Sequence, residues 1–282
     1  MSIHGVLGES TTYSKTYDPT ILYPISRQIG RDEILKDVGF DFNKFSDELK
    51  KGVDVWQAFE LSWLNLMGVS QVAMARFIIP ANSPNIVESK SLKLYLNSLN
   101  FTKFSHADEL KTTLQKDLSA CVSADVGVEI IGLDDDELNI TKPLGICIDD
   151  VLTDEIILSD DIDSKFLKNA KKGELKTYQF YSNLLRSNCP VTNQPDWGTV
   201  QIEISTEYQL DFGDILKYIL SFRQHNGFHE QCVERIFADM MTYFKPTSLR
   251  VLANYTRRGG IDINPMRIFN ADEGQIKRLI RQ

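Results

Sequence analysis

The feature that most constrains the fold is a repeat in the pattern of predicted secondary structure. Apolar residues at helical spacing predict one pair of amphipathic helices starting near residues 89 and 107, and a second pair starting near 212 and 229. The offset between the pairs is nearly constant, at about 123 residues. Strand-like segments flank each pair, so the order strand–strand–helix–helix–strand occurs twice. We therefore predict an α+β protein of two similar modules with a ligand groove between them.

The segments of this repeat have local sequence signals. The predicted strands are 59–65, 71–80, 124–133, 178–185, 198–206, 249–255 and 261–268. A Gly-Gly turn at Arg257-Arg258-Gly259-Gly260 predicts that the last two form a hairpin. Ser105 and Asp108 resemble a capping box, and Pro246 is expected to end the last helix. The alternative is that the repeat is coincidental, because α+β domains often have two helices after a hairpin.

Acidity is concentrated in one stretch of the chain. Residues 131–165 contain eleven acidic and two basic residues, so they account for the net charge of -8. No broad basic surface for nucleic acid is expected from what remains. We predict a first module at 1–133, an acidic insertion or linker at 134–176 and a second module at 177–282. Within the insertion, 144–148 and 155–158 are candidates for short strands.

Composition favours a soluble intracellular protein. Apolar residues make up 42% and charged residues 25% of the 282 residues, with no apolar run long enough for a transmembrane helix and no secretory leader. The four cysteines form no CxxC pair and the four histidines are scattered, which argues for reduced thiols and against a metal site. We expect a cytoplasmic location and no membrane partner. The chain has no GxGxxG motif after a strand and no Walker loop.

One loop combines a thiol with a carboxyl group. Cys189 is followed by Pro190, and Asp196 is preceded by Pro195, so both lie on a backbone that proline restricts. A thiolate is a strong nucleophile, and a nearby carboxyl group can relay its proton. The alternative is that Cys189 is a small buried core residue and Asp196 a turn former.

Three further segments are candidates for ligand binding. Ser89 stands at a predicted helix start with Lys90 and Lys93 in the first turn, an arrangement that suits a phosphate group. The segment Phe228-His229-Glu230 offers a stacking ring, a proton shuttle and an acceptor-only carboxylate for a guanine-like edge. Paired arginines before Gly259 can grip a phosphate. The alternatives are a capped surface helix, an ordinary helix start and a solvated hairpin tip.

Taken together, these segments resemble the NADPH-dependent 7-cyano-7-deazaguanine reductases of the queuosine pathway, in their long, two-module form. The resemblance rests on Glu88-Ser89-Lys90-Ser91-Leu92-Lys93-Leu94-Tyr95 and on residues 187–198, 228–235 and 255–265. It implies tandem tunnelling-fold modules, in which antiparallel sheets carry paired helices on one face. It also implies a homodimer that acts on a small molecule.

The resemblance implies a role for each matched residue. Cys189 is the expected nucleophile, which adds to the nitrile carbon and forms a thioimide, and Asp196 is the expected proton donor. The base-binding residues are expected to be Val87, Glu88, Ser89, Phe228, His229 and Glu230. The NADPH-binding residues are expected to be Ser89, Lys90, Lys93, Arg257, Arg258 and Gly259. No metal is expected.

Two other functions fit the same fold. A GTP cyclohydrolase-like enzyme would need a zinc site of cysteines and a histidine, and the sequence offers no such set. A non-catalytic purine-binding module would not need the thiol of Cys189 at all.

Overall fold

The computed structural model describes residues 13–38, 47–135, 139–153, 155–156 and 161–282. Its strands are β1 (Pro24–Ser26), β2 (Gly52–Leu64), β3 (Ser70–Pro80), β4 (Asn85–Val87), β5 (Gly127–Ile131), β6 (Ile146–Cys147), β7 (Lys172–Asn188), β8 (Pro195–Tyr208), β9 (Ser248–Tyr255) and β10 (Ile261–Phe269). Its α-helices are α1 (Arg27–Val38), α2 (Ser89–Ser98), α3 (Ala107–Val122), α4 (Phe212–Leu220) and α5 (His229–Phe244). The predicted α+β class is confirmed.

By its contacts the chain divides into two compact units. The first contains Met1–Ile29, Val53–Leu138 and Arg257–Ile263, and the second contains Gly30–Gly52, Asn139–Thr256 and Asn264–Gln282. The boundaries 1–133, 134–176 and 177–282 follow the sequence repeat rather than these contacts, and they stay a prediction. Asp136, Glu137, Asp154 and Asp160 of the acidic stretch lie outside the described residues, as do His4 and positions 157–158 of one predicted strand.

In the first unit, β2 and β5 pair antiparallel with β3, and β1 pairs antiparallel with β4. Alternate residues of β3 are buried, as expected of a strand with one face on a core. Trp56 and Phe77 of the sheet share a hydrophobic core with Tyr95 of α2 and with Leu110 of α3. The pairing of β2 with β3 shifts register between Ala58 and Leu61, which marks a β-bulge.

In the second unit, β7 pairs antiparallel with β8, β8 with β9, and β9 with β10. The predicted hairpin of the last two strands is therefore confirmed. The short strand β6 pairs parallel with β7 and confirms a strand within predicted segment 144–148. The core joins Phe180 and Ile202 of the sheet to Tyr218 of α4 and Phe237 of α5.

The predicted helix starts near 89, 107, 212 and 229 are all confirmed. The last helix ends at Phe244, two residues before Pro246, and Lys245 closes it in the left-handed region at φ 41°. The capping box at Ser105 and Asp108 is wrong by one residue. His106 is the N-cap, and its ring nitrogen accepts a 3.3 Å hydrogen bond from the Glu109 amide.

The sequence did not predict β1, α1 or β4. Helix α1 lacks a clear apolar stripe because two of its inward-facing residues are arginines. Arg27 pairs with buried Asp54 within the first unit, and Arg31 pairs with buried Glu234 at 2.7 Å within the second. Glu234 also accepts a 2.8 Å bond from Arg267. These ion pairs add to the apolar contacts of buried Ile34 and Leu35, so the inward face of the helix mixes charged and apolar residues and shows no continuous apolar stripe.

No helix of the described residues has the length and apolar character needed to cross a membrane.

Candidate active site

The Cys189 loop connects β7 to β8 and is closed by main-chain hydrogen bonds. The Cys189 amide donates to the Gln194 carbonyl at 2.9 Å, and the Asn193 amide donates to the Cys189 carbonyl at 2.9 Å. Asn193 makes the tight return possible because it adopts a left-handed conformation at φ 55°, which asparagine tolerates better than most residues. The main chain of Cys189 is thus held at both ends, and its thiol is half-buried.

Asp196 is the second residue of β8, on the other side of this loop. It is the cross-strand partner of Ser187 and is only 3% exposed. His229 Nε2 lies 3.8 Å from Asp196 Oδ1, and the imidazole packs edge-to-face on Tyr255 with ring centroids 4.1 Å apart. The second unit therefore brings together a restrained thiol loop, a buried carboxyl group and an imidazole.

A second main-chain contact attaches the segment before α5 to the Cys189 loop. The Asn188 amide donates to the His225 carbonyl at 2.8 Å, and the Gly227 amide donates back to the Asn188 carbonyl at 3.1 Å. A Cβ at Gly227 would lie 2.9 Å from His225 Nε2 and 3.4 Å from Cys232 Sγ, so glycine allows close packing there.

The three base-binding residues predicted in this unit lie around the start of α5. Phe228 is the N-cap, and its amide donates to Gln231 Oε1 at 3.0 Å. Phe228 and His229 are half-buried, whereas Glu230 is 2% exposed. A buried carboxylate at a helix start can accept N–H donors from a planar base while the helix dipole favours its charge.

Beneath the site lie three buried groups that sequence reasoning did not assign to it: Ser187, Cys232 and Tyr255. Burial raises the pKa of Cys232 to about 11, although the neighbouring hydroxyls of Ser187 and Tyr255 oppose the rise. Burial also raises the pKa of Tyr255 well above its usual value. These groups are neutral near pH 7 and form an uncharged floor. Their only sequence signal is proximity to the motifs, which does not separate them from ordinary core residues.

The predicted helix-start motif lies in the first unit. Helix α2 begins at Ser89, and Glu88 is its N-cap. The Glu88 carboxylate accepts hydrogen bonds from the amides of Lys90 at 2.9 Å and Ser91 at 2.7 Å. Those two amides are thus already bonded within the protein, so an anion at this helix start would be held by the lysine side chains. Val87 and Glu88 are both buried.

Near this motif is a cleft of about 440 Å³ within the first unit. Its lining combines apolar residues with Glu60, Ser62, Lys93, Asn97, Asn100 and Gly259. Gly259 and Gly260 have positive φ values of 56° and 73°, as a two-residue turn between antiparallel strands requires. The Arg258 amide donates to the Ile261 carbonyl at 2.9 Å and closes the turn.

Sequence reasoning did not assign Phe59 or Glu60 to this site. A Cβ on Gly259 would lie 3.2 Å from the Lys93 side chain, so this lysine and the turn pack closely. The Arg257 guanidinium lies over the Phe59 ring, 4.8 Å from its centroid, and Glu60 lies against Gly260. Phe59 and Glu60 occupy the β2 bulge, which has no sequence signature here.

Among the described residues, no group of three histidine, cysteine or acidic side chains is arranged to hold a metal ion.

Comparison with known proteins identifies similar chains. The family model described as nitrile reductase, 7-cyano-7-deazaguanine-reductase N-term, matches residues 13–130, and the model of QueF-like proteins matches 195–273. The NADPH-dependent 7-cyano-7-deazaguanine reductase of Psychrobacter cryohalolentis is 56% identical over the full length of both chains. The reductase of the same name from Acinetobacter baumannii strain AYE is 48% identical over 93% of this chain and 92% of its own.

A solved structure of the archaeosine synthase QueF-Like in the apo form gives a TM-score of 0.31 and 16% identity, and it covers 36% of this chain. That likeness is too slight to support a conclusion.

Proposed function

The chain belongs to the family of NADPH-dependent 7-cyano-7-deazaguanine reductases, and from that membership we propose that Cys189 and Asp196 perform its chemistry. The enzyme is an oxidoreductase that reduces the nitrile of 7-cyano-7-deazaguanine with NADPH, a step of queuosine biosynthesis. The product is the primary amine, 7-aminomethyl-7-deazaguanine.

The observation that carries the proposal is the restrained position of Cys189 beside the loop segment that leads to Asp196. A nitrile is a weak electrophile, so a reductase needs a strong nucleophile to convert it into a reducible C=N group. A thiol on a loop whose amide and carbonyl are both bonded approaches the nitrile carbon in one fixed geometry. The half-buried thiol is also accessible to a small planar base.

Addition of the Cys189 thiol across the nitrile forms a carbon–sulfur bond and places a proton on the nitrogen. The buried Asp196 carboxyl group, beside His229, is suited to pass that proton from sulfur to nitrogen. The product of this step is a thioimide. NADPH, when bound, supplies hydride to the carbon of the thioimide and then to the carbon of the imine.

Between the two reductions the carbon–sulfur bond breaks. Cys189 leaves as the thiolate and regains a proton, which releases the imine and restores the free thiol. In each of the two reductions the nitrogen takes up one proton, and Asp196 with His229 provides the route for it. Because the floor of Ser187, Cys232 and Tyr255 is uncharged, it does not compete for these protons.

Phe228, His229 and Glu230 are proposed to bind the base. The Phe228 ring offers a stacking surface, and the buried Glu230 carboxylate is an acceptor for the N–H groups of the guanine-like edge. Val87, Glu88 and Ser89 of the first unit are proposed as further base-binding residues. Since the Glu88 carboxylate already accepts two amide hydrogen bonds, its contribution would be to hold the main chain of this segment.

The residues of the first unit fit NADPH chemically. Lys93 and Gly259 line the cleft, and Lys90, Arg257 and Arg258 belong to the same segments. A polyanion needs cationic side chains and a close approach of the main chain, and a left-handed glycine turn leaves that approach open. Ser89 adds a hydroxyl group at the start of α2. We propose these six residues as the cofactor site.

We also propose that the enzyme works in the cytoplasm, that it forms a homodimer, and that it acts on the free base without binding nucleic acid. The small size of the substrate supports the last of these. Light scattering on the purified protein tests the second.

The deciding experiment uses the substrate without NADPH. Intact-mass spectrometry should show one covalent adduct of 7-cyano-7-deazaguanine on the native protein and none on Cys189→Ala. Cys147→Ala is the matched control, because Cys147 is exposed on β6 and should leave the adduct unchanged. An absent adduct on the native protein would overturn the proposal and favour a non-catalytic purine-binding module, and an adduct that persists in Cys189→Ala would overturn it by assigning the nucleophile to another residue.

A further inference from the structure

The β2 bulge places two consecutive residues, Phe59 and Glu60, against the Gly259–Gly260 turn. Ala58 pairs with Ala75 and Leu61 with Ala73, so Phe59 and Glu60 together stand opposite a single residue of β3. A bulge of this kind bends the strand and turns its side chains away from the regular alternation. The redirected residues are Phe59 and Glu60, and both touch the turn.

Phe59 holds the turn through its main chain. Its amide donates a 2.8 Å hydrogen bond to the Gly260 carbonyl. The Glu60 side chain also packs against the turn, because a Cβ at Gly260 would lie only 2.5 Å from the Glu60 carboxyl carbon. The turn is thereby fixed relative to the bulge, and Arg257 is fixed with it at the start of the turn.

The Phe59 side chain then fixes the arginine itself. The Arg257 guanidinium lies 4.8 Å from the centroid of the half-buried Phe59 ring. Arg257 is exposed, and within the described chain its guanidinium makes no hydrogen bond or ion pair. Stacking on a ring uses the face of a guanidinium and leaves its N–H edge available. An exposed arginine is normally mobile, so this contact holds a cation in one orientation before any ligand arrives.

We propose that Phe59 is a positioning residue for the cofactor, which holds Arg257 so that its N–H edge binds the ribose 2′-phosphate, the group that distinguishes NADPH from NADH. This inference rests on the proposed cofactor role of Arg257. A planar guanidinium binds a phosphate dianion through two parallel hydrogen bonds, and its orientation is then decisive. Losing the ring would leave the charge in place but free the side chain.

The test replaces the ring and measures binding of two nucleotides. Phe59→Leu keeps an apolar side chain but removes the π face, whereas Phe59→Tyr keeps the ring. Phe101→Leu is the matched control, because Phe101 is 61% exposed in the same unit. Calorimetry gives the Kd of 2′,5′-ADP, which carries the 2′-phosphate, and of 5′-AMP, which lacks it. Steady-state rates give the KM for NADPH.

We expect Phe59→Leu to weaken 2′,5′-ADP binding and to raise the KM for NADPH about threefold to tenfold. Binding of 5′-AMP, kcat and the cofactor-free adduct on Cys189 should be unchanged. Phe59→Tyr and Phe101→Leu should behave like the native protein. In the Arg257→Ala background, Phe59→Leu should have no further effect on 2′,5′-ADP, because the two residues act through one contact.

An unchanged Kd for 2′,5′-ADP in Phe59→Leu would overturn the inference, as would an equal loss for 5′-AMP or an undiminished effect in Arg257→Ala. If Phe59→Leu does not fold, Arg257→Lys is measured instead. It keeps the charge without the planar group and should show the same selective loss. Failure of the proposed function is recognised separately, because the native protein would then form no adduct on Cys189.

Discussion

The Tyr218 hydroxyl donates a 2.7 Å hydrogen bond to Asp239 Oδ2 and joins α4 to α5 in the second unit. Tyr95 and Asp117 make the same bond at the same length between α2 and α3 of the first unit. The predicted repeat thus extends from helix positions to a buried polar pair. A hydroxyl–carboxylate pair is directional, so it fixes how the second helix of each module lies on the first.

Removing one hydroxyl tests the contribution of this pair to stability. Tyr218→Phe should lower the free energy of unfolding by about 1 to 3 kcal/mol, because it leaves a buried carboxylate with one partner fewer. Asp239 keeps its 2.8 Å bond from Arg235, so its charge stays paired. Urea denaturation measures the loss. The control is Tyr13→Phe, an exposed tyrosine of the first unit, which should be neutral. Equal stability of Tyr218→Phe and the native protein would contradict the prediction.

Asn193 should matter for catalysis through its main chain alone. Its φ of 55° suits asparagine or glycine, whereas a β-branched residue is strained there. We expect Asn193→Val to slow formation of the Cys189 adduct and Asn193→Gly to preserve it. Asn270 has a similar φ of 47° outside this loop, so Asn270→Val supplies the same strain as a control. Mass spectra of samples quenched at successive times give the rate of adduct formation. An unaffected rate in Asn193→Val would refute the role of the loop.

Stability should fall as the pH drops below the ordinary pKa of histidine. Burial lowers the pKa of His225, and Asp161 at 3.4 Å opposes the shift only in part. The folded state then binds fewer protons than the unfolded state, so stability is full above pH of about 6.5 and declines below it. His225→Asn should flatten the decline in unfolding free energy between neutral and acidic pH.

A second variant sharpens the pH test. Asp161→Asn removes the carboxylate that raises the pKa of His225, so the decline should become steeper. His106→Asn controls for loss of a histidine elsewhere. Parallel pH curves for the native protein and His225→Asn would show that His225 does not contribute.

A side chain added at Gly260 would cause both backbone strain and a steric conflict, whereas one added at Gly68 would cause backbone strain alone. Their φ values are 73° and 82°, but a Cβ at Gly68 meets nothing within 4 Å, whereas a Cβ at Gly260 collides with Glu60. Gly68→Ala should cost about 1 kcal/mol, the usual result of a side chain at positive φ. Gly260→Ala should cost more and also raise the KM for NADPH. Equal thermal shifts and unchanged kinetics for the two variants would contradict this account.

The local parts of the fold follow from the sequence. The periodicity of apolar residues located four helices to within a residue or two, and the Gly-Gly turn located a hairpin. Helical spacing and turn chemistry depend on residues three or four positions apart, so a short window contains the whole signal. The motif around Cys189 was visible for the same reason, as was the helix start at Ser89.

The tertiary structure alone decided what surrounds those residues. Arg31 and Glu234 are 203 positions apart, yet they form a buried ion pair that helps to hold α1. The contacts of Asp196 with His229, of His229 with Tyr255 and of Arg257 with Phe59 likewise join distant segments. Such contacts depend on strand register and on a bulge, which are set when the sheets assemble. The sequence by itself determined which chemical groups the chain carries in each segment, and folding determined which of them meet, because long-range contacts leave no periodic trace in the chain.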